Sequence, residues 1–241
     1  MHAPQEDDDI RLQSLRQFPL DVAHDLRGPL AGIGVLAVVA QQHLAGGDLA
    51  AARQDLQRIA DQAQSSLGAL EALWRLADYV ERPLAPHLYS LDEVAHAAAA
   101  EAVLSVQAQW PARRLPQLQF QPLGQARVDR GLVHVILVNL IGNALKFNLD
   151  HAEVGVTVRR EDTSPEAGLI LVVSDDGVGF ETGASASTQP PSQPLGPADQ
   201  APGYGLGLSI VRRAAQRLGG RLQVSSSPGK GVQVRVLLGS D

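Results

Sequence analysis

Apolar residues recur mainly at three- and four-residue steps from Ile10 through Leu12, Leu15, Phe18, Val22, Leu26, Leu30 and Ile33, which predicts an amphipathic helix with one buried stripe. Pro29 is expected to kink this helix without ending it. The Gly46-Gly47-Asp48 turn breaks the pattern, and Asp48 is placed to N-cap a second helix carrying Leu49, Leu56, Ile59, Ala63, Leu67, Leu70, Leu73 and Leu76. Two long helices joined by a short turn make an antiparallel hairpin. Alone it would expose too much apolar surface, so two copies are expected to pair as a four-helix bundle, making the protein a homodimer.

The two prolines of Arg82-Pro83-Leu84-Ala85-Pro86 predict a domain boundary. Beyond it the spacing predicts helices over Leu91 to Gln109, Gly131 to Phe147 and Tyr204 to Leu218. Strands are expected at Leu118 to Gln121, Ala126 to Val128, Val154 to Arg160, Leu169 to Ser174, Arg221 to Ser225 and Val232 to Leu238. Helices mixed with antiparallel-compatible strands suggest an α/β sandwich, so the chain as a whole reads as a multidomain α+β protein. The expected division is residues 10–82 for the hairpin, 83–90 for a linker and 91–241 for the sandwich. The Gly-, Ala-, Ser-, Gln- and Pro-rich stretch of about 181–203 has almost nothing to bury, and its place between two glycine motifs favours a lid.

Charge and composition narrow the function. With 20 Lys+Arg against 26 Asp+Glu, the net charge of −6 leaves no broad cationic surface for nucleic acid. The absence of cysteine excludes disulfides, thiol nucleophiles and thiolate metal sites, and suits a reducing cytosol. The apolar run Leu30 to Ala40 falls short of the roughly 20 residues that span a bilayer, and the acidic start lacks the basic, apolar pattern of an export signal. No membrane contact is therefore expected of this chain, and the expected location is cytoplasmic, either free or as the cytoplasmic part of a membrane-bound protein.

Four segments carry chemistry. Asp175-Asp176-Gly177-Val178-Gly179-Phe180 follows a predicted strand, and Gly203-Tyr204-Gly205-Leu206-Gly207-Leu208-Ser209-Ile210 opens a predicted helix. Glycines let backbone N–H groups approach phosphate oxygens, and a helix N-terminus favours an anion. Either loop could instead simply need positive φ, and neither matches a P-loop or a dinucleotide fingerprint. Asn139 and Asn143 put two amides four residues apart on one face of an otherwise apolar helix. Such amides either find ordinary helix partners or meet something polar, and an amide oxygen suits Mg²⁺. Lys146, one turn on, could meet a phosphate. Finally, His24 lies among charges in Asp21-Val22-Ala23-His24-Asp25-Leu26-Arg27-Gly28, where neutral imidazole can act as a nucleophile and a neighbouring carboxylate can take up its proton.

In this order and spacing the four segments resemble the catalytic core of a sensor histidine kinase of two-component signalling, over most of the 241 residues. The His24 segment is similar to the family's H-box, Asn139 to Phe147 to its N-box, Asp175 to Phe180 to its G1 box and Gly203 to Ile210 to its G2 box. The segments Leu218 to Arg221 and Ser227 to Gly231 resemble the family's C-terminal strands, while no separate F-box is recognisable. The resemblance implies an ATP-dependent enzyme in which His24 accepts the γ-phosphoryl group with Asp25 as general base. It further implies that Asn143 ligates Mg²⁺, Asn139 sits beside the phosphates and Lys146 neutralises their charge. Asp175 would accept the adenine amine, and Gly177, Gly179, Gly205, Leu206 and Gly207 would shape the pocket and lid hinge. The phosphoryl group would pass to an Asp of a response regulator.

The family commonly has Thr or Asn four residues after the phospho-accepting His, and here Gly28 stands there, so phosphatase activity towards the regulator is expected to be weak. Two rival readings remain. A gyrase- or chaperone-type ATPase would need a Glu at Asn139 to activate water, since Asn is no base, and gives the hairpin no role. A degenerate scaffold that no longer uses ATP would be expected to have lost the glycines and amides that this sequence keeps.

Overall fold

The computed structural model describes residues 27–28, 30–162, 168–180 and 204–239. The chain forms two compact units that divide between Arg82 and Pro83. In the first, α1 (Leu30–Ala45) and α2 (Leu49–Glu81) flank a turn in which Gly47 takes φ of 78°. Asp48 caps α2 by accepting from the Ala51 amide at 2.9 Å, as its sequence position predicts. Close helix approach is permitted by Ala40 and Ala52, both nearly fully buried. Beside them Asp55 is only 3% exposed, and it is held by His43 Nδ1 at 2.7 Å and Arg58 at 3.3 Å. A buried carboxylate without such partners would cost several kcal/mol, on the order of the desolvation of an ion. The start of the predicted first helix, with His24 and Asp25, lies outside the described residues, as do Pro29 and the segment 181–203.

The second unit is a sheet covered on one face by helices. Its strands are β1 (His87–Ser90), β2 (Gln117–Phe120), β3 (Gln125–Val128), β4 (Gly155–Asp162), β5 (Leu169–Asp175), β6 (Arg221–Ser226) and β7 (Val232–Leu238). Its helices are α3 (Leu91–Gln109), α4 (Arg130–Phe147) and α5 (Tyr204–Arg217). The main sheet runs β2-β4-β5-β7-β6, and β1 and β3 form a separate antiparallel pair. The period-2 rule puts Val156 and Val158 of β4, Leu171 and Val173 of β5, and Val234 and Val236 of β7 on one face, matched by register. That face meets α4, whose Leu132, Ile136, Leu137, Ile141 and Leu145 are fully buried. Each such side chain contributes roughly 1.5–3 kcal/mol by leaving water. On the opposite face Val172 is also fully buried, flanked in register by Arg159 and Arg235, whose head groups both pair with Glu161. Both arginine side chains stay partly buried beside the valine.

Capping fixes where the helices begin. Ser90 accepts from Glu93 N–H, and acidic Asp92 and Glu93 occupy the first turn of α3, where the helix dipole favours them. Asp92 also accepts from the amides of Leu123 and Gly124, both at 2.9 Å, tying the β2–β3 loop to α3. Asp129, 2% exposed, caps α4 by accepting from Gly131 and Leu132, and also from Ala85.

The structure departs from the sequence reading in two places. Residues 83–90, expected as a linker, contain β1, which pairs with β3 in register His87 to Val128 through Ser90 to Gln125. A four-residue strand with two exposed positions has no apolar run to announce it. The strands are not all antiparallel, because β2 lies parallel to β4, the chain crossing between them through β3 and α4. The helix expected over Gly131 to Phe147 is α4, which by length and composition alone could also cross a membrane. It is instead a core helix, packed against α3, α5 and the sheet.

Candidate functional site

A cleft opens in the second unit where α4 faces the ends of β5 and β7. Leu140, Asn143, Ala144 and Phe147 fall on one side of α4 by their three- and four-residue spacing, and they form one wall. Val173 and Asp175 of β5 with Val232 and Val234 of β7 form the floor, and Leu208 of α5 closes one end. The cleft is apolar apart from two groups, the Asn143 amide and the Asp175 carboxylate. A pocket lined by hydrocarbon with a few aimed polar groups is the usual form of a small-molecule site.

Asp175 ends β5, where the strand gives way to the glycine loop. Burial among the apolar wall pushes its pKa above the usual carboxylate value, and the adjacent Asp176 charge adds to this. Hydrogen bonds from the Gly177 amide, the Asn148 side chain and the Val232 amide act the other way, by favouring the ionised form. Asp176 points elsewhere, accepting from the Gly155 amide at 2.7 Å. The two neighbouring carboxylates therefore divide their work, one bracing β4 and the other facing the cleft.

The loop after Asp175 is held by the β6–β7 turn. Gly229 N–H donates to the Val178 carbonyl at 2.6 Å. Ser226 Oγ accepts from Phe180 N–H at 2.8 Å and donates to the Gly231 carbonyl at 2.8 Å. Gly231, with φ of 71°, comes so close to the Asp175 carbonyl that any Cβ would overlap it. Gly179 is constrained in the same way by the Ser227 carbonyl, at φ of 58°. Gly207, in the first turns of α5, would carry a Cβ 2.8 Å from Asn143 Nδ2, so only glycine lets α5 approach that amide.

The structure thus brings Asn143 and Asp175 to one cleft, with Gly177 against Asp175, Gly207 against Asn143, and Gly179 in the loop that follows Asp175. Asn139, half-buried one turn before Asn143, does not line it, and its amide donates to the Val135 carbonyl at 2.8 Å. Lys146 places its ammonium over the rings of Trp110 and Phe147, 5.8 and 5.3 Å from their centres. Gly205 and Leu206 lie in the first turn of α5. Gly28 is exposed, with open space where a Cβ would stand. Among the described residues no group of three His, Asp or Glu could hold a metal ion. Asn143 offers a single amide oxygen, which fits Mg²⁺ because that ion takes few protein ligands and completes its shell with phosphate and water.

Sequence reasoning missed two contributors. Asn148, immediately after the N-box-like segment, is 2% exposed and reaches Asp175. Ser226 and the turn after it brace the Asp175 loop. The Ser-x-x-Gly-x-Gly spacing of residues 226–231 was the available signal for the second.

Residues 128–240 match the family described as histidine kinase-, DNA gyrase B- and HSP90-like ATPase. An uncharacterized sensor-like histidine kinase of Rhizobium meliloti is 31% identical over 93% of this chain, which spans 43% of that protein. Sensor protein KdpD of Mycobacterium tuberculosis is 29% identical over 93% of this chain and 26% of its own length. The chain thus spans less than half of these relatives. In fold, histidine kinase AdeS of Acinetobacter baumannii superposes with a TM-score of 0.51 at 20% identity, covering 90% of this chain and 98% of that one. The chain is therefore a homologue of the sensor histidine kinases, and its residues 128–240 form a histidine kinase-, gyrase B- and HSP90-like ATPase domain.

Proposed function

We propose that this chain is an ATP-dependent protein histidine kinase, in which His24 takes the γ-phosphoryl group and passes it to an Asp of a response regulator. The observation that carries the reading is the cleft itself. It sets one carboxylate acceptor, Asp175, and one amide ligand, Asn143, on facing walls of an apolar slot. Asp175 accepts the exocyclic amine of adenine, the base lies between Val173, Val234 and Leu140, and the phosphates extend towards Asn143 and the start of α5. Bound Mg²⁺, held by the Asn143 oxygen, offsets phosphate charge. Asn139 and Lys146 contribute polarity and positive charge on the same helix, and Gly205, Leu206 and Gly207 shape the phosphate end.

In the transfer, a ring nitrogen of neutral His24 attacks the γ-phosphorus, the bond to the β-phosphate oxygen breaks, and ADP leaves. Asp25 takes up the proton that the imidazole gives off. Since phosphoryl transfer demands little covalent chemistry from the protein, positioning and charge neutralisation account for most of the rate. Two hairpins, one from each copy, form the four-helix bundle that presents His24. With Gly28 in place of a hydroxyl or amide, no side chain there orients water against the regulator's phospho-aspartate, so phosphatase activity is weak.

Incubation with Mg²⁺ and γ-labelled ATP tests the reading. Acid-labile, base-stable label is expected on the unmodified protein and absent from His24→Gln and Asn143→Ala. Label that persists in His24→Gln, or a protein that does not bind ATP, would refute it.

A further inference from the structure

Asn148 is the C-cap of α4, only 2% exposed, and no element of the catalytic reading uses it. Its Nδ2 donates to the Ala144 carbonyl at 2.8 Å, and the same amide also bonds the Asp175 carboxylate. Those two acceptors fix the amide's orientation, because a flipped amide would set its oxygen against both. The consequence is that Oδ1 is buried with no hydrogen-bond partner. An unpartnered buried oxygen is rare in folded proteins and costs free energy, so its retention calls for a compensating gain.

The neighbourhood shows what that gain is. Oδ1 lies in the space that a Cβ at Gly177 would occupy, and a Cβ there would also come within 3.0 Å of Asp175 Oδ1. Gly177 N–H donates to the same Asp175 oxygen at 3.1 Å. The end of α4, the carboxylate at the end of β5 and the first glycine of the loop are thus one interlocked unit.

We propose that Asn148 is a positioning residue for base selection: it fixes the Asp175 carboxylate as a pure hydrogen-bond acceptor facing the cleft, and so favours a purine bearing an amine at that edge over one bearing a carbonyl. This rests on the reading of the cleft as a nucleotide site and adds the group that sets its preference. An ionised carboxylate accepts from the 6-amino group of adenine and repels the O6 of guanine. A carboxyl freed from Asn148 and lacking that donated bond is more readily protonated, and as an acid it can donate to O6. Discrimination then falls even where affinity for the triphosphate survives. A site built to meet a particular hydrogen-bonding edge discriminates strongly because the wrong partner leaves buried groups unpaired.

The test measures equilibrium binding of ATP and of GTP, each with Mg²⁺, to the full chain and to Asn148→Ser, Asn148→Leu, Gly177→Ala and the Asn148→Ser/Gly177→Ala pair. Losing one hydrogen bond to a charged group is expected to weaken ATP binding by about ten- to thirtyfold in Asn148→Leu. GTP binding should change by less than about threefold, so that the preference collapses. Asn148→Ser, which keeps a small donor and folds with less disturbance, should lose less. Gly177→Ala should abolish ATP binding, and adding Asn148→Ser should restore part of it, because the oxygen that blocks the new Cβ is gone. An unchanged ATP-to-GTP ratio in a folded Asn148→Ser or Asn148→Leu protein, or a double variant no better than Gly177→Ala alone, would overturn the proposal. Failure of the unmodified protein to bind ATP would instead overturn the kinase reading on which it rests.

Discussion

The two units treat their apolar residues differently. The C-terminal unit buries its core within one chain: β5 is buried along four consecutive positions, and α4 meets neighbours on several sides. The N-terminal unit leaves Leu30, Val35, Val38, Leu44, Leu49, Leu56 and Leu67 about half or more exposed, while sealing the polar Asp55, Gln62 and Ser66 inside. Among the described residues, the C-terminal unit leaves only scattered large apolar side chains exposed, Leu88, Leu104 and Val178, whereas the hairpin exposes a series of them. A partner that covered the exposed leucines would add to the stability of the hairpin.

The sharpest way to break this contrast is to charge the hairpin. Leu56→Glu with Leu67→Glu should shift the proposed dimer to monomer in sedimentation velocity, with a loss of about 6–12 kcal/mol of association energy if the four leucines of the two copies are buried between them. The C-terminal unit should melt as before. Asp175→Asn should reverse the pattern, leaving the dimer intact while weakening ATP binding about a hundredfold in calorimetry, as expected for loss of a charged acceptor at a buried hydrogen bond. Because burial raises the Asp175 pKa, the folded apo protein holds that proton more tightly than the unfolded chain does. The apo protein should therefore gain stability as pH falls through the folded pKa, and lose it as pH rises. ATP affinity, which needs the carboxylate, should fall over the same acidic range, and both trends should flatten in Asp175→Asn.

Smaller effects separate the units by their caps. Asp129→Ala strips three backbone donors of a buried acceptor, and should cost about 2–3 kcal/mol in urea unfolding of the C-terminal unit. Asp48→Ala removes one exposed cap and should cost about 1 kcal/mol, confined to the hairpin.

Much of this was readable in the sequence, and particular residues show why. The bounds Leu91–Gln109 and Val232–Leu238, read from helical spacing and strand alternation, match the structure to the residue. Asn143 stood out because an amide on an apolar helix is costly unless paired, and Asp175 because it heads a glycine motif after a strand. By contrast β1 is specified by its partner β3 and not by its own residues. Asn148 looks like an ordinary helix C-cap, and only the fold brings it to Asp175. Asn139 and Lys146 marked the right helix, yet the cleft wall follows the Leu140–Asn143–Phe147 stripe, which a rotation about the helix axis separates from Asn139.

The order of strands has a consequence for biogenesis. Strand β7 lies between β5 and β6 and pairs with both, although it follows every other described strand. A nascent polypeptide leaving the ribosome therefore exposes the unpaired edges of β5 and β6 until Val232–Leu238 emerges, and an exposed edge recruits other strands. The β7 half of the cleft floor is made after every other residue of the lining, so chains halted before that point would lack Val232 and Val234 and be aggregation-prone. A translation pause placed just upstream of β7 would prolong that exposure.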